Sequence, residues 1–275
     1  MTVILAMANH NRGVGKTVTA ANVAAGFARA GRRTLAVDCD AQGHLTGWLL
    51  GRVDQDAADL EAIVVGGADP AAAVYPTRVA GLDALPATPR LAHLAGALAA
   101  DGTGIAWALG RLRPGYDAMV LDLPSSLSRL TVSALAAADA IVVPVTASVV
   151  GLHGLAGFRD WLASLRADRS ITAPVWGVLL TQADLDARGG MGTGVGRQVR
   201  DAVADFRVSG ARLLPVLVPR RVGVEELVSQ RLLLGDPAAR AGPGRDVVDA
   251  YARLVDYLLE RVPAAAGPPA GGAVG

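Results

Sequence analysis

Cysteine, aromatic residues and long apolar runs are all scarce in this chain of 275 residues. The one cysteine, Cys39, excludes a disulfide framework and a thiolate metal cluster, and it is compatible with a reducing compartment. Aromatic residues make up only 4% of the chain, and the four tryptophans are too scattered to form a stacking platform. No run of about 18 apolar residues exists, so we expect no membrane-spanning segment.

Lysine is as rare as cysteine, because the chain contains one, Lys16, against 25 arginines. It lies within Gly13-Val14-Gly15-Lys16-Thr17. In a phosphate-binding loop, backbone N–H groups surround the phosphates, a lysine ammonium reaches the β/γ oxygens and a threonine hydroxyl binds Mg²⁺. A planar guanidinium would be too wide for that lysine position. A coding bias toward arginine explains the scarcity of lysine but not where the remaining one lies. We therefore predict a phosphate-binding loop, although His10 replaces the first glycine of the general pattern.

Short apolar runs alternate with amphipathic stretches, which predicts an α/β fold with a doubly wound, mostly parallel sheet and helices on both faces. The predicted strands are residues 3–7, 34–37, 82–86, 118–121, 140–145, 175–180 and 213–218. The predicted helical regions are 16–30, 91–112, 130–138, 154–166, 195–206 and 246–262, with weak helical periodicity over 54–80. Residues 1–262 are expected to form one domain, and the Pro/Ala/Gly tail at 263–275 is predicted to be disordered.

Three aspartates are predicted to lie at one edge of this sheet. Asp38 and Asp40 follow the second predicted strand, and Asp122 ends the strand at 118–121. Ligands bind at the carboxyl ends of strands in such sheets, and carboxylates placed there can hold Mg²⁺ and orient a water molecule. Any one of these aspartates alone could be an ordinary helix cap or turn residue. The set of three favours a metal-assisted site.

Four segments match, in order, the motifs of one known family. Its Lys-Gly-Gly-Val-Gly-Lys-Thr motif reads Asn11-Arg12-Gly13-Val14-Gly15-Lys16-Thr17, and its Asp-x-Asp-Pro-Gln-Gly motif reads Asp38-Cys39-Asp40-Ala41-Gln42-Gly43. Its Asp-x-Pro-Pro-Ser-Leu motif reads Asp122-Leu123-Pro124-Ser125-Ser126-Leu127, and its Ile-Pro-Arg-Asn-Val segment reads Val218-Pro219-Arg220-Arg221-Val222. With these motifs the chain resembles the ParA/MinD group of ATPases, which have a deviant Walker A loop, and most of all the ParA (Soj-like) partition proteins. The similarity extends from about residue 3 to residue 262.

The resemblance implies ATP or ADP and Mg²⁺ as cofactors and gives roles to particular residues. Lys16 would contact the phosphates as a catalytic residue, and Asp40 would orient the attacking water on a mobile switch. Thr17 would bind Mg²⁺, with Asp38 and Asp122 holding it from the outer shell. The implied nucleotide-binding residues, of which the last three belong to the segment against the adenine, are Asn11, Arg12, Gly13, Val14, Gly15, Lys16, Thr17, Val18, Pro219, Arg220 and Arg221.

Two residues of the loop depart from the family's pattern. The family's signature lysine, which crosses to the partner's ATP in a sandwich dimer, falls on Asn11. The glycine that lets the two loops approach falls on Arg12. Asn11 is uncharged and too short to cross. Arg12 could itself reach the partner's phosphate as an arginine finger, or it could obstruct the dimer. We favour the first of these, with Arg12 as a catalytic cation.

The resemblance also implies partners: a second copy of the chain in an ATP-dependent homodimer, non-specific DNA, and a ParB-like or cargo-adaptor protein that stimulates hydrolysis. The net charge is +1, so DNA would need a local basic patch. The candidates for phosphate contacts are Arg197, Arg200, Arg220 and Arg221, although they could equally form an ordinary solvated surface. The acidic polar side of residues 246–262 would not attract an anionic membrane. We therefore expect no membrane partner and a cytoplasmic, nucleoid-associated protein.

The leading functional hypothesis is an ATPase with weak, partner-stimulated hydrolysis that positions or segregates a plasmid, a chromosome or a protein assembly. A second hypothesis is a nucleotide-binding regulator that has lost turnover and acts as a monomer through protein contacts. Asn11 and Arg12 favour that second hypothesis. A third, a biosynthetic ligase of the same superfamily, lacks an evident substrate-pocket motif.

Overall fold

A computed structural model describes residues 1–262 except 55, 66, 94–102, 186–197, 199–200, 203–210, 221–222 and 243. The strands in this part of the chain are β1 Val3–Met7, β2 Thr34–Asp38, β3 Tyr75–Pro76, β4 Leu82–Leu85, β5 Ala118–Asp122, β6 Ala140–Thr146, β7 Val175–Ala183 and β8 Leu213–Pro219. The helices are α1 Lys16–Arg29, α2 His44–Leu49, α3 Leu60–Val64, α4 Thr103–Leu112, α5 Arg129–Ala137, α6 Val149–Ala167, α7 Gly223–Ser229, α8 Pro237–Ala241 and α9 Arg245–Leu259. Two 3₁₀ turns span Pro70–Ala73 and Arg113–Gly115.

The strands form a single sheet in the order β3–β4–β2–β5–β1–β6–β7–β8. Every pair of neighbours is parallel except β3 and β4, where the short edge strand runs antiparallel. Asp122 at the end of β5 is in register with Met7 on one side and with Asp38 on the other. The carboxyl ends of β1, β2 and β5 therefore lie at the same level. The prediction of a mostly parallel α/β sheet is confirmed.

The sheet separates two apolar cores because successive side chains of a strand point to opposite faces. In β1, Ile4 and Ala6 belong to the core built with α4, α5 and α6. Leu5 and Met7 belong to the core built with α1 and α9. Helices thus cover both faces, as the buried apolar strands predicted. None of the described helices combines the length and apolarity needed to cross a lipid bilayer.

Helix boundaries differ from the predicted ones where a capping side chain decides them. The helix predicted at 154–166 begins earlier, at Val149, because the Ser148 side chain accepts a hydrogen bond from the Gly151 amide. The weak periodicity at 54–80 is not one helix but α3, a 3₁₀ turn and β3. Asp59 and Asp69, two aspartates of that stretch, cap α3 and the turn. The predicted helix at 195–206 lies almost entirely outside the described residues, as does the tail.

Gly26 allows α1 and α9 to pack closely on one face of the sheet. A Cβ atom at Gly26 would lie 2.9 Å from Cγ1 of Val255, overlap with its second methyl group and press on Leu234. All three residues are in the core shared by α1 and α9 or next to it. The absence of a side chain at position 26 therefore sets the distance between the two helices.

We predict that Gly26→Ala lowers the free energy of unfolding by about 1–3 kcal/mol, because overpacking forces the helices apart. Gly110→Ala is the matched control: Gly110 also lies in a helix, α4, but nothing lies within 4 Å of where its Cβ would be. That substitution should stabilise by up to about 1 kcal/mol through helix propensity. Urea denaturation measures the free energy of unfolding of both variants. Equal changes in Gly26→Ala and Gly110→Ala would contradict the packing account.

Candidate nucleotide-binding site

The loop between β1 and α1 is built to surround an anion. Gly13 and Gly15 have φ angles of +68° and +84°, in the left-handed region that glycine adopts without a Cβ penalty. Gly15 caps α1, so the free N–H groups and the positive end of the helix dipole face the concave side of the loop. The buried Asn9 side chain anchors the loop by donating to the Pro144 carbonyl at 2.8 Å and accepting from the Asn11 amide at 2.9 Å.

The Lys16 side chain lies inside this loop, and the residue as a whole is only 7% exposed. Its Nζ donates to the Asn11 carbonyl oxygen and to the Ser125 hydroxyl, both at 2.9 Å. An ammonium has three N–H donors, so one remains for a ligand. Burial lowers the pKa of Lys16, and the nearby Arg12 acts in the same direction, whereas Asp122 and Asp40 oppose the shift.

A cavity of about 540 Å³ opens in front of the loop. Its walls come from the loop and the start of α1, from the segment after β2 and from the segment after β5; its lining residues include Arg12, Gly13, Val14, Gly15, Lys16, Thr17, Val18, Asp40, Gln42, Ser125 and Ser126. A second cavity of about 340 Å³ shares Gly15, Val18 and Gln182 with the first. Together the two spaces are of the size that small-molecule cofactors occupy.

Asp38 braces the segment that carries Asp40. It is buried, and its Oδ2 accepts hydrogen bonds from the Thr46 amide at 2.8 Å and the Thr46 hydroxyl at 2.7 Å. Its Oδ1 accepts from the Asp40 amide at 3.0 Å. Burial raises the pKa of Asp38 to about 6, and these hydrogen bonds oppose the rise. The Thr46 hydroxyl also accepts from the Ala87 amide at 3.0 Å, which ties the segment to the end of β4.

Asp122 is the unusual carboxylate of the site. It is 1% exposed, and neither of its oxygens has a hydrogen-bond partner among the described residues. Burial, followed by the neighbouring Asp38, raises the pKa of Asp122 well above its ordinary value. The nearby Thr17 hydroxyl opposes this shift, although the two groups do not meet as a regular hydrogen bond. A buried acceptor without a donor, next to a hydroxyl, fits a place where a hydrated cation binds.

The three aspartates do not form a metal cage by themselves. In the described part of the chain, no group of three or more His, Cys, Asp or Glu side chains could hold a metal ion. The oxygens of Asp38 are already used by Thr46 and Asp40. The expected Mg²⁺ site on Thr17, Asp38 and Asp122 would therefore need oxygens from phosphate and water, which is how this ion usually binds in nucleotide sites.

Asn11 and Arg12, the two residues that depart from the family's motif, face different surroundings. The Asn11 side chain packs directly on Gly154 of α6, and a Cβ there would collide with it. Asn11 is not among the described residues that line the two cavities, although its carbonyl oxygen holds Lys16. Arg12 is exposed and lines the larger cavity. Asn11 therefore has a structural role in the loop. Arg12 is the residue of this pair whose charge lies next to the cavity.

The segment after β8 contributes to the smaller cavity. Pro219 and Arg220 both line it, at the place where the family resemblance puts the adenine. The Arg220 Nε lies 3.4 Å from an Asp184 carboxylate oxygen. Arg221, the last expected residue of this wall, is outside the described residues, and so are Arg197 and Arg200.

Three residues of the site were not expected from the sequence. Ser125 accepts a hydrogen bond from Lys16 at a position where the family motif has a proline. This departure from the motif could have identified Ser125 in the sequence. Gln182 lines both cavities, and its Nε2 donates to the Gly13 carbonyl at 2.6 Å. Thr46 binds Asp38 from the next helix. No local pattern marks Gln182 or Thr46, because their roles arise only when distant segments pack together.

Comparison with known proteins identifies the family. A family model described as an AAA domain matches residues 2–171. The chromosome-partitioning ATPase Soj of Thermus thermophilus is 37% identical over 258 residues, which cover 94% of this chain and 96% of that protein. The chain belongs to the ParA/MinD-type ATPases and is Soj-like.

Solved structures agree with this family fold. Apo McdA of Cyanothece matches with a TM-score of 0.80 at 20% identity, over 94% of this chain and 100% of that one. Cobyrinic acid a,c-diamide synthase from Mycobacterium smegmatis with bound ADP and magnesium matches with a TM-score of 0.74 at 28% identity, over 95% of each chain. The fold and the family predicted from the motifs are therefore both confirmed.

We predict that Asp122→Asn stabilises the nucleotide-free protein by about 1–2 kcal/mol at pH 7, because it removes a buried carboxylate that lacks a donor. The raised pKa of Asp122 means that the folded protein holds a proton which the unfolded chain, with a pKa of about 3.9, releases. The parent therefore loses stability as the pH rises from about 4 through the pKa of Asp122 in the folded protein. The extra stability of Asp122→Asn over the parent should accordingly be present at pH 7 and shrink toward zero at about pH 4.

Urea denaturation at a series of pH values measures this effect. Asp56→Asn, at an exposed position outside both cavities, is the control and should change stability little at any pH. A loss of stability in Asp122→Asn at pH 7, or a gain that does not depend on pH, would contradict the account.

We further predict that Ser125→Ala weakens ATP binding about tenfold, because a hydrogen bond to a buried ammonium is lost. Ser126→Ala is the matched control: Ser126 lines the same cavity, but its hydroxyl donates to Ser128 at 3.1 Å and not to Lys16. Titration calorimetry compares the two. Parent-like affinity in Ser125→Ala would show that the Asn11 carbonyl alone holds the ammonium.

Proposed function

We propose that this chain is a ParA-type ATPase that binds ATP and Mg²⁺, dimerises, binds non-specific DNA and positions a cargo with partner-stimulated hydrolysis. The observation that carries the proposal is the buried Lys16 ammonium, which faces a nucleotide-sized cavity with one donor free. The identity to a chromosome-partitioning ATPase over nearly the whole chain supports the same function.

Nucleotide binding follows from the two adjoining cavities. The amides at the start of α1 and the Lys16 ammonium would bind the phosphates, since both present N–H donors to the same space. Pro219 and Arg220 would line the base. Thr17, Asp38 and Asp122 would hold Mg²⁺, which supplies positive charge to the β- and γ-phosphate oxygens when bound. The magnesium and ADP in the related M. smegmatis structure support this assignment.

Hydrolysis would depend on Arg12, which lines the cavity from the segment after β1, and on Asp40, which lines it from the segment after β2. Asp40 presents a carboxylate there; its own Oδ1 accepts from the Gln42 amide at 3.1 Å, which limits its rotation. We infer that this carboxylate orients the attacking water. Arg12 would stabilise the negative charge that develops on the phosphoryl oxygens, the role for which Asn11 has no charge.

A chain of contacts connects Asp40 to the far side of α2. Asp38 and Thr46 hold the start of the helix. At its other end, the Trp48 indole donates to the Leu232 carbonyl at 3.2 Å, and the Arg231 guanidinium donates to the Trp48 carbonyl at 3.1 Å. A change at Asp40 on loss of the γ-phosphate would therefore move α2 against the segment after α7. We infer that this movement couples hydrolysis to opening of the homodimer.

The DNA surface is proposed for Arg220, which follows β8, and for three arginines outside the described residues. Arg220 is largely exposed, and its pairing with Asp184 is a surface contact of little strength. With Arg197, Arg200 and Arg221, it would contact phosphates without reading bases. A ParB-like or cargo-adaptor protein would then stimulate hydrolysis and select the plasmid, chromosome or protein assembly that is moved. The present chain itself would be cytoplasmic and associated with the nucleoid.

The alternative function is a nucleotide-binding regulator without turnover that acts as a monomer. One observation favours it: the Asn11 side chain is turned onto Gly154, so no side chain at position 11 is available to cross a dimer interface. A ligase, which the related synthase would suggest, is less favoured because Soj shares more identity with this chain over a similar length.

We predict that Asp40→Ala stays on non-specific duplex DNA in the presence of ATP and Mg²⁺, because it binds ATP but cannot turn it over. The parent should be retained and then released as ATP is consumed, and Lys16→Ala should not be retained. Binding should fall steeply with salt as phosphate contacts release counterions. Binding to surface-immobilised DNA measures retention, and a parallel phosphate-release assay measures ATP hydrolysis.

Asp56→Ala, at an exposed aspartate outside the cavities, is the control and should behave as the parent. Hydrolysis by Asp40→Ala at the parental rate would refute the role of Asp40. Retention on DNA that does not require ATP in any variant would refute the proposed cycle.

A further inference from the structure

Arg12 is a cation at the mouth of the nucleotide cavity of its own protomer. It lines this cavity together with Lys16, Asp40 and Ser125. Its side chain makes no hydrogen bond or ion pair with any residue that the structure describes, whereas the neighbouring Lys16 has two acceptors. An exposed arginine that lines a cavity and has no partner among the described residues is available to an anionic ligand.

The backbone around Arg12 is fixed on both sides. Before it, the Asn11 amide is held by Asn9 and the Asn11 side chain lies against α6 at Gly154. After it, Gly13 adopts its left-handed conformation and its carbonyl accepts from Gln182. The arginine therefore leaves the loop from an anchored position. Its guanidinium is close enough to Lys16 to contribute to the lowered pKa of that ammonium.

In the described part of the chain, three Asp, Glu, Lys or Arg side chains line the cavity: the cations Lys16 and Arg12, and the carboxylate of Asp40. Lys16 and Arg12 repel each other, and of the two only Lys16 is hydrogen-bonded within the protein. A terminal phosphate between them would relieve the repulsion and supply the acceptors that the guanidinium lacks, in the two-pronged geometry that arginine forms with phosphate. The same contact would be absent with ADP.

We propose that Arg12 binds the γ-phosphate of the ATP held by its own protomer, and does not cross to the partner's nucleotide. The proposal rests on the proposed ATPase function and deepens it. It gives the monomer a means of distinguishing ATP from ADP before dimerisation. The arginine finger that crosses to the partner's phosphate, favoured from the sequence as a replacement for the missing lysine, becomes the competing outcome.

Nucleotide affinity of the monomer separates the two possibilities. In an Asp40→Ala background, and at a protein concentration at which light scattering reports a monomer, Arg12→Ala should weaken ATP binding about tenfold and leave ADP binding nearly unchanged. Arg12→Lys should retain part of the preference. Arg52→Ala, at an exposed arginine outside both cavities, is the matched control. Equal ATP affinity with and without Arg12 in the monomer would overturn the proposal.

Mixing two defective variants provides the second test. A heterodimer of Arg12→Ala and Asp40→Ala has no protomer with both residues, so the mixture should hydrolyse no more ATP than the separate proteins. If Arg12 acted across the interface, the Arg12→Ala protomer would receive it from its partner. Random pairing would then restore roughly a quarter of the parental rate and overturn the proposal. A parent that does not bind ATP would refute the ATPase function itself, whereas ATP binding indifferent to Arg12 refutes this inference alone.

Discussion

The buried ammonium of Lys16 is the group on which the rest of the site depends. Placing a charge at 7% exposure is costly unless it is paired or hydrogen-bonded. The loop meets that cost with the Asn11 carbonyl, and the segment after β5 adds the Ser125 hydroxyl. The same two contacts join the β1–α1 loop to the segment that follows Asp122, so the position of the ammonium and the shape of the cavity are set together.

The site keeps polar groups for which the described part of the folded chain supplies no partner. Asp122 is buried without a donor, and Arg12 lines the cavity without an ion-pair partner among the described residues. Both features cost stability or give none. Arg12 lines the larger cavity, and Asp122 ends β5 just before the segment that lines the same cavity. Such unsatisfied groups are expected where binding supplies the missing partners, and a protein maintains them at the expense of stability. Nucleotide and metal would therefore complete the electrostatics of this fold.

The sequence predicted most of this arrangement because the relevant signals are local. Buried parallel strands are continuous apolar runs, and the glycine loop needs its residue types at fixed spacing, so β1, β2, β5 and the loop could be located in advance. The two-residue strand β3 has no such run and exists only because β4 offers an edge. Among the described residues, the weak helical periodicity at 54–80 corresponds to only one short helix, α3, because Asp59 and Asp69 cap separate elements within the stretch. Gln182 reaches Gly13 across 169 positions of sequence, a contact that only the folded sheet creates.

We conclude that position 16 requires a compact ammonium on a flexible stem, held at two points and facing the cavity. Titration of the Lys16→Arg variant with ATP and Mg²⁺ tests it most directly, because the charge is retained and only its shape changes. The planar guanidinium should not fit between the Asn11 carbonyl and Ser125, so ATP binding should be lost while the fold, followed by circular dichroism, is kept. Parental ATP affinity in a folded Lys16→Arg protein would contradict the account.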